Sequence, residues 1–310
     1  MTGAGTTVVV APGQGSQAPR MLTPWLRDPE LRALVESWSR DSGLDLVDLG
    51  TKAPAATIVD TEIAQPLLVT AGLLALQTRS AVDLAGDATA LVTAGHSIGE
   101  LVAAVGAGVL RPEQAVRLAA VRGRAMAASC RRAETGMTAL LGGDPDELTC
   151  VIEGLGLQVA NRNAPGQLVV AGPVAALAQV EQVVPDHVKV RPLQVAGAFH
   201  TSAMSAAQEE FAAAVADEDF ADPICPWLSN ADGEPLETGT AAADSLVHQI
   251  VSPVRWDLVT RGIAARDPRV LIELPPAGTL TGIAKRELPQ VRAIPVASPA
   301  TLRRAGAKAA

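Results

Sequence analysis

Ala94-Gly95-His96-Ser97-Ile98-Gly99-Glu100 sets a serine between two glycines, each two positions away. Upstream, residues 88–93 form a short apolar run with β-branched members, which predicts a buried parallel strand. Downstream, residues 98–105 predict a packed helix. A serine on a strand-to-helix turn of this kind reads as a nucleophile elbow. Gly95 and Gly99 leave room for a turn that would crowd a Cβ, and the turn pushes the Ser97 hydroxyl into the open. The amide of Ile98 then falls at a helix N-terminus, placed to face a developing oxyanion. The motif alone equally permits a tight turn without chemistry, so its partners have to be sought along the chain.

Working outward, residues 6–11 are a β-branched run that predicts the first central strand. It leads into Pro12-Gly13-Gln14-Gly15-Ser16-Gln17, which lacks the lysine of a P-loop and the third glycine of a dinucleotide fingerprint. This is a loop at the carboxyl edge of a sheet, where open α/β folds place their sites, and its amides are candidates for a second oxyanion donor. Residues 20–80 read as helical and connecting material, with Trp25 and Trp38 in the core. Within it, 67–76 predicts a buried helix with Pro66 at its first turn. Beyond the elbow, 113–129 is a helix on which Arg117 and Arg124 are surface charges. Arg122, beside Gly123, is either another surface charge or points into the cleft toward an anionic substrate.

From Gly136 the texture changes. Strands at 137–141, 157–160, 167–171 and 188–195, with helices at 145–153 and 174–184, give the order β-α-β-β-α-β of the ferredoxin-like split motif. Residues 161–167 would be its hairpin connection. Gly197-Ala198-Phe199-His200-Thr201 follows, then a helix to about 215, strands at 226–230, 270–274 and 291–296, and helices at 244–251, from 253, and through Lys285-Arg286. The tail from Ala300 shows no strong pattern.

A chain of 310 residues with 48% hydrophobic content can bury a large core and hold an inserted smaller unit. Its apolar runs are too short and broken for a membrane span, and residues 1–12 do not resemble a secretory signal. Cys130, Cys150 and Cys225 are odd in number and far apart, which fits a reducing cytoplasm and neither a disulfide framework nor a zinc site. A net charge of −8 without a basic block makes nucleic acid an unsuitable partner.

A serine hydroxyl needs a base. Of the four histidines, His187 lies in a polar lead-in, His248 has no obvious partner, and His96 points away from Ser97 at the elbow, where it would shape the site. His200 arrives after the nucleophile in chain order and is the preferred base. No aspartate stands out as a third member, and a backbone carbonyl holding the imidazole Nδ1–H would serve. These residues describe an acyl-transfer enzyme or a hydrolase.

Together, Gly13-Gln14-Gly15-Ser16-Gln17, Gly95-His96-Ser97-Ile98-Gly99-Glu100, Arg122-Gly123, Asn163-Ala164-Pro165-Gly166-Gln167, Gly197-Ala198-Phe199-His200 and the run from Gln249 to Trp256 resemble the malonyl-CoA:acyl carrier protein transacylases. The match spans nearly the whole chain in the right order, and its wording is similar to stand-alone actinobacterial members. The resemblance implies an α/β-hydrolase-like domain with a parallel sheet over 1–133 and 197–310, and a ferredoxin-like insert over 134–196. It implies ping-pong transfer of malonyl from coenzyme A to Ser97 and on to the phosphopantetheine thiol of holo acyl carrier protein, with His200 as base. It further implies Gln14 and Ile98 amides as oxyanion donors, a main-chain carbonyl near Gln249 orienting His200, and Arg122 pairing with the malonyl carboxylate. His96 and Asn163 join Arg122, Phe199 and Gln249 as substrate-binding candidates. Phe199 resembles the malonyl-selective version of its loop, where a ring fills the space that an extra methyl would need. Lys285-Arg286 and Arg131-Arg132 are candidate docking positions for the acidic carrier. No metal or redox cofactor is expected, and the expected state is a cytoplasmic monomer. A polyketide-type acyltransferase, a thioesterase or hydrolase, and a non-catalytic carrier-binding module are the competing readings; intact Ser97, His200 and Arg122 disfavour the last.

Overall fold

β1 (Thr6–Ala11) lies in the middle of a six-stranded sheet, which accounts for its run of three valines, all essentially buried. The computed structural model describes residues 5–309. β2 (Leu91–Gly95) pairs parallel to β1, with Ala11 opposite Gly95, so the two strands end side by side. A second sheet is formed by β3 (Thr135–Leu141), β4 (Gln158–Ala164), β5 (Gln167–Pro173) and β6 (Lys189–Pro192). The large sheet is completed by β7 (Trp227–Leu228), β8 (Pro235–Leu236), β9 (Pro268–Glu273) and β10 (Arg292–Pro295), in the order β10-β9-β1-β2-β7-β8. All neighbours are parallel except β8, which turns back on β7.

The second sheet is wholly antiparallel in the order β4-β5-β3-β6, the ferredoxin-like arrangement expected from the β-α-β-β-α-β pattern. Leu140, Leu148, Ile152, Leu168 and Val170 give it a hydrophobic cluster of its own. It meets the large unit where Arg162 donates its amide to Val254 O and Val254 donates to Ala160 O.

Several boundaries differ from the sequence reading. The helix expected to begin at Pro66 runs over Thr61–Thr78 with Pro66 in its interior, because Asp60 caps it earlier by accepting from the Glu62 amide. The helix expected at 174–184 is two pieces, Val174–Leu177 and Val180–Val183, joined by tighter bonds such as Gln179 N to Ala176 O. β4 extends to Ala164, so Asn161 and Asn163 stand on a strand and the turn contracts to Pro165-Gly166, where Gly166 takes φ +66°. β6 stops at Pro192, and β7 keeps only two residues because Ser229 and Asn230 turn toward the elbow. The tail is a helix, Pro299–Ala309, which buries Leu302 and Ala305 in the main core; one leucine among alanines and arginines left little periodicity to read.

Two helices behind the sheet position the site. Thr61–Thr78 packs along Pro112–Cys130, and the lack of a side chain at Gly123 permits it, since a Cβ there would sit 2.8 Å from Thr61 O. Trp25 and Trp38 are in the core, as the sequence suggested.

Candidate active site

Ser97 follows β2 and precedes the helix Gly99–Gly106, with φ +54°, a left-handed conformation costly for a residue with a Cβ. The glycines make the turn possible: a Cβ on Gly95 would run into the Gly99 backbone, and one on Gly99 into the Ala11 carbonyl. Asn230 ties the turn down. Its Oδ1 accepts the Ser97 amide at 2.8 Å, its Nδ2 donates to Gly95 O at 2.7 Å, and its own amide donates to Glu100 Oε1 at 2.8 Å. The strained turn is thus held by three bonds from one loop.

Ser97 Oγ lies 2.8 Å from His200 Nε2, and His200 Nδ1 lies 2.8 Å from the main-chain oxygen of Gln249. A carbonyl can only accept, so Nδ1 carries the proton and Nε2 is left with a lone pair for the serine hydroxyl. Burial, then the Arg122 charge, push the His200 imidazolium down to about pKa 3, against a raising contribution from the Gln249 carbonyl. The base form therefore persists as the pH falls. We expect kcat/KM for Ser97 acylation, measured by quenched flow, to keep its plateau well below pH 6.5, where an ordinary histidine would already be protonated. The fold itself loses stability below pH 6.5, because the unfolded chain then binds a proton that folded His200 does not.

Arg122 projects from the helix Pro112–Cys130 into the interior and is 2% exposed. Nη1 donates to Gln65 Oε1 and Nη2 to Gln249 Oε1, each at 2.8 Å, and Nη2 also lies 3.3 Å from Ser97 Oγ. Burial lowers its pKa to about 10, and Glu100 opposes the shift, so the guanidinium stays charged at neutral pH. Its direct partners are neutral amides. Arg122 is thus a buried cation beside a nucleophile, without a carboxylate in contact.

The acyl transferase domain family matches residues 8–308. The chain belongs to the acyl transferase domain family. It is 49% identical over 296 residues to the malonyl CoA-acyl carrier protein transacylase of Mycobacterium tuberculosis H37Rv, covering 95% of this chain and 97% of the relative. The crystal structure of MCAT from Mycobacterium tuberculosis superposes with a TM-score of 0.93 at 47% identity, covering 97% of this chain and 99% of that one. A type II PKS acyl-carrier protein in complex with its malonyl-transacylase, PlMCAT:AntF, matches with a TM-score of 0.89 at 28% identity, over 98% and 99% of the two chains.

In this acyl transferase the structure brings Ser97, His200, Arg122 and Gln249 into one cluster. The amides of Gln14 and Ile98 sit at the ends of the adjacent β1 and β2 segments, and among the described residues neither donates to a protein acceptor. His96 turns away from Ser97: its Nε2 lies 2.9 Å from Asn163 Oδ1 and its ring tilts on Trp256 with centroids 5.5 Å apart. Phe199 is buried in the main core beside His200. A cavity of ≈ 390 Å³ reaches His200 past Val251 and Arg255, and one of ≈ 670 Å³ is lined by Asn163, Gln167, Arg261 and Leu288. Arg162 and Arg255 line both. Arg117 forms a two-pronged pair with Glu218, His187 and His248 are exposed, and so are Arg131, Arg132, Lys285 and Arg286.

Three residues of the cluster escaped the sequence reading. Asn230 was read only as the last residue of the strand at 226–230. Gln65 and Glu100 each left a faint signal, as a polar residue inside an otherwise apolar helix; both are almost fully buried.

Proposed function

We propose that this chain transfers the malonyl group from malonyl-CoA to the phosphopantetheine thiol of acyl carrier protein through a malonyl ester on Ser97. The observation that carries the reading is Arg122, a buried guanidinium held by Gln65 and Gln249 with one edge 3.3 Å from Ser97 Oγ. It suits an acyl chain that ends in a carboxylate. Ser97 Oγ attacks the thioester carbonyl as His200 Nε2 takes its proton. The oxyanion faces the amides of Gln14 and Ile98. The carbon–sulfur bond breaks, His200 returns the proton to the departing coenzyme A thiolate, and malonyl remains on Ser97. The carrier's thiol then gives its proton to His200 and attacks the ester; the bond from Ser97 Oγ to the acyl carbon breaks, and His200 returns the proton to Oγ, which regenerates Ser97. The sequence of steps needs no cofactor. Asn163 and His96 line the approach to the serine, and the Phe199 ring crowds the position of an α-methyl group.

The enzyme acts as a cytoplasmic monomer supplying fatty acid elongation, and the type II polyketide relative makes a polyketide carrier the second candidate acceptor. No described helix is long and apolar enough to cross a membrane. Lys285 and Arg286 are the proposed docking cations. Both are exposed, and Arg286 Nη2 donates at 3.0 Å to Gln167 Oε1 on the rim of the ≈ 670 Å³ cavity. Arg131-Arg132 lie at the far end of the Arg122 helix, roughly 13 Å beyond Arg122. Reversing both charges at Lys285 and Arg286 is expected to raise KM for the carrier about three- to tenfold, with malonyl-CoA loading unchanged.

The testing experiment is intact-protein mass after mixing with malonyl-CoA, then with holo acyl carrier proteins of fatty acid and polyketide type. One adduct, discharged by the fatty acid carrier, supports the reading. Discharge by the polyketide carrier alone moves the pathway, and an adduct lost in buffer alone makes the protein a hydrolase.

A further inference from the structure

Glu100 is 0% exposed on the elbow helix, and the steps above leave it without a task. Its oxygens accept from two parts of the site at once. Oε1 takes the Asn230 amide at 2.8 Å, and Oε2 takes a short bond from Gln249 Nε2. The other end of the Gln249 amide, Oε1, accepts from Arg122 Nη2 at 2.8 Å. A primary amide has one donor end and one acceptor end. Nε2 also donates to Ser97 O at 3.1 Å and to Asn230 Oδ1 at 3.3 Å, so acceptors gather at the donor end, and the Glu100 carboxyl makes the shortest of these contacts.

We propose that Glu100 is a positioning residue for malonyl recognition, locking Gln249 with its acceptor end toward Arg122 and so holding the guanidinium beside Ser97. The inference rests on Arg122 as the partner of the malonyl carboxylate. Distance matters to the design. A carboxylate placed directly on Arg122 would occupy the edge that the substrate needs. Glu100 stands one residue back, with Gln249 between it and Arg122; burial pushes its carboxyl up to about pKa 8, and the Asn230 amide, the Arg122 charge and the Gln249 amide oppose that shift by favouring the carboxylate. Among the described hydrogen bonds and ion pairs no carboxylate contacts the Arg122 side chain directly; its remaining partners are Gln65 and Ser97 Oγ. Both Glu100 oxygens face N–H donors, so a glutamine at this position would have to aim its own NH2 at one of them. The Asn230 amide would then lose its acceptor, or Gln249 Nε2 would lose its closest one and keep only Ser97 O at 3.1 Å and Asn230 Oδ1 at 3.3 Å; a flipped Gln249 would turn its NH2 toward a guanidinium.

The test compares Ser97 loading from malonyl-CoA and from acetyl-CoA, which lacks the carboxylate, in wild type and Glu100→Gln. The malonyl-to-acetyl rate ratio is expected to fall about tenfold, the scale of a disturbed hydrogen bond to a charged group. General damage to the elbow would slow both donors by the same factor, and an unchanged ratio overturns the proposal. Gln249→Leu approaches the same link from the other end and keeps the test alive if Glu100→Gln does not fold. It should lower the ratio to a similar degree, and adding Glu100→Gln should lower it no further. An unchanged ratio in Gln249→Leu, or independent losses that multiply in the double variant, also overturns it. A wild type that accepts no malonyl at all would instead remove the proposed function, so the two failures read apart.

Discussion

Ser97→Ala is expected to yield no malonyl adduct on mixing with malonyl-CoA, and to lower kcat for transfer by about 10⁴-fold or more. The hydroxyl is the sole atom in the cluster that is both 2.8 Å from a neutral imidazole nitrogen and within reach of the guanidinium. Alanine relaxes nothing else: the Ser97 amide still bonds to Asn230, and the φ of +54° is no harder for alanine than for serine. A stable variant with an unaltered melting curve and no adduct is therefore the predicted outcome. An adduct of wild-type stoichiometry would place the acyl group on another side chain and dismantle the mechanism.

Arg122→Ala should cut kcat/KM for malonyl-CoA by roughly 10²- to 10³-fold, because a desolvated carboxylate without a partner costs on the order of 3–5 kcal/mol. Loading from acetyl-CoA, which brings no charge, should fall far less, so stopped-flow or mass-based loading rates for the two donors separate recognition from chemistry. Arg122→Lys is not expected to restore the rate. Lysine cannot serve Gln65, Gln249 and the ligand from one planar fork, and its compact ammonium pays more for burial. Equal losses for both donors would mean that Arg122 supports the fold at this point and does not read the acyl chain.

What the sequence disclosed follows from how local each feature is. The elbow could be read because its requirements are packed into seven residues, two of them glycines that must pass close to backbone. The parallel sheet and the antiparallel insert were likewise legible, since β-branched runs and the strand–helix order survive without knowledge of contacts. Arg122 was different: spacing left it open between surface and cleft, and only its burial against Gln65, 57 positions away, settles where it points. Asn230 left no signal, and Glu100 no sign of its partners, for the same reason: Asn230 meets Ser97 across 133 positions and Gln249 meets Glu100 across 149. Pro66 misled because a proline inside a well-packed helix looks like a helix start when the earlier Asp60 cap is not recognised.

The side-by-side ending of β1 and β2, with Ala11 opposite Gly95, has a mechanical corollary. Gln14 and Ile98, the proposed oxyanion donors, each lie three residues beyond the end of one of these neighbouring strands, so the loops that carry them start from anchor points that the sheet sets about 4.8 Å apart. The proposed anion pocket is in that sense a gauge of sheet alignment. A slip of β1 against β2 by one residue would shift one loop's anchor by about 3.3 Å and misalign the two proposed donors with every side chain of the cluster still present. Substitutions deep in β9 or β1, remote from any substrate, belong to the activity of the protein as much as to its stability.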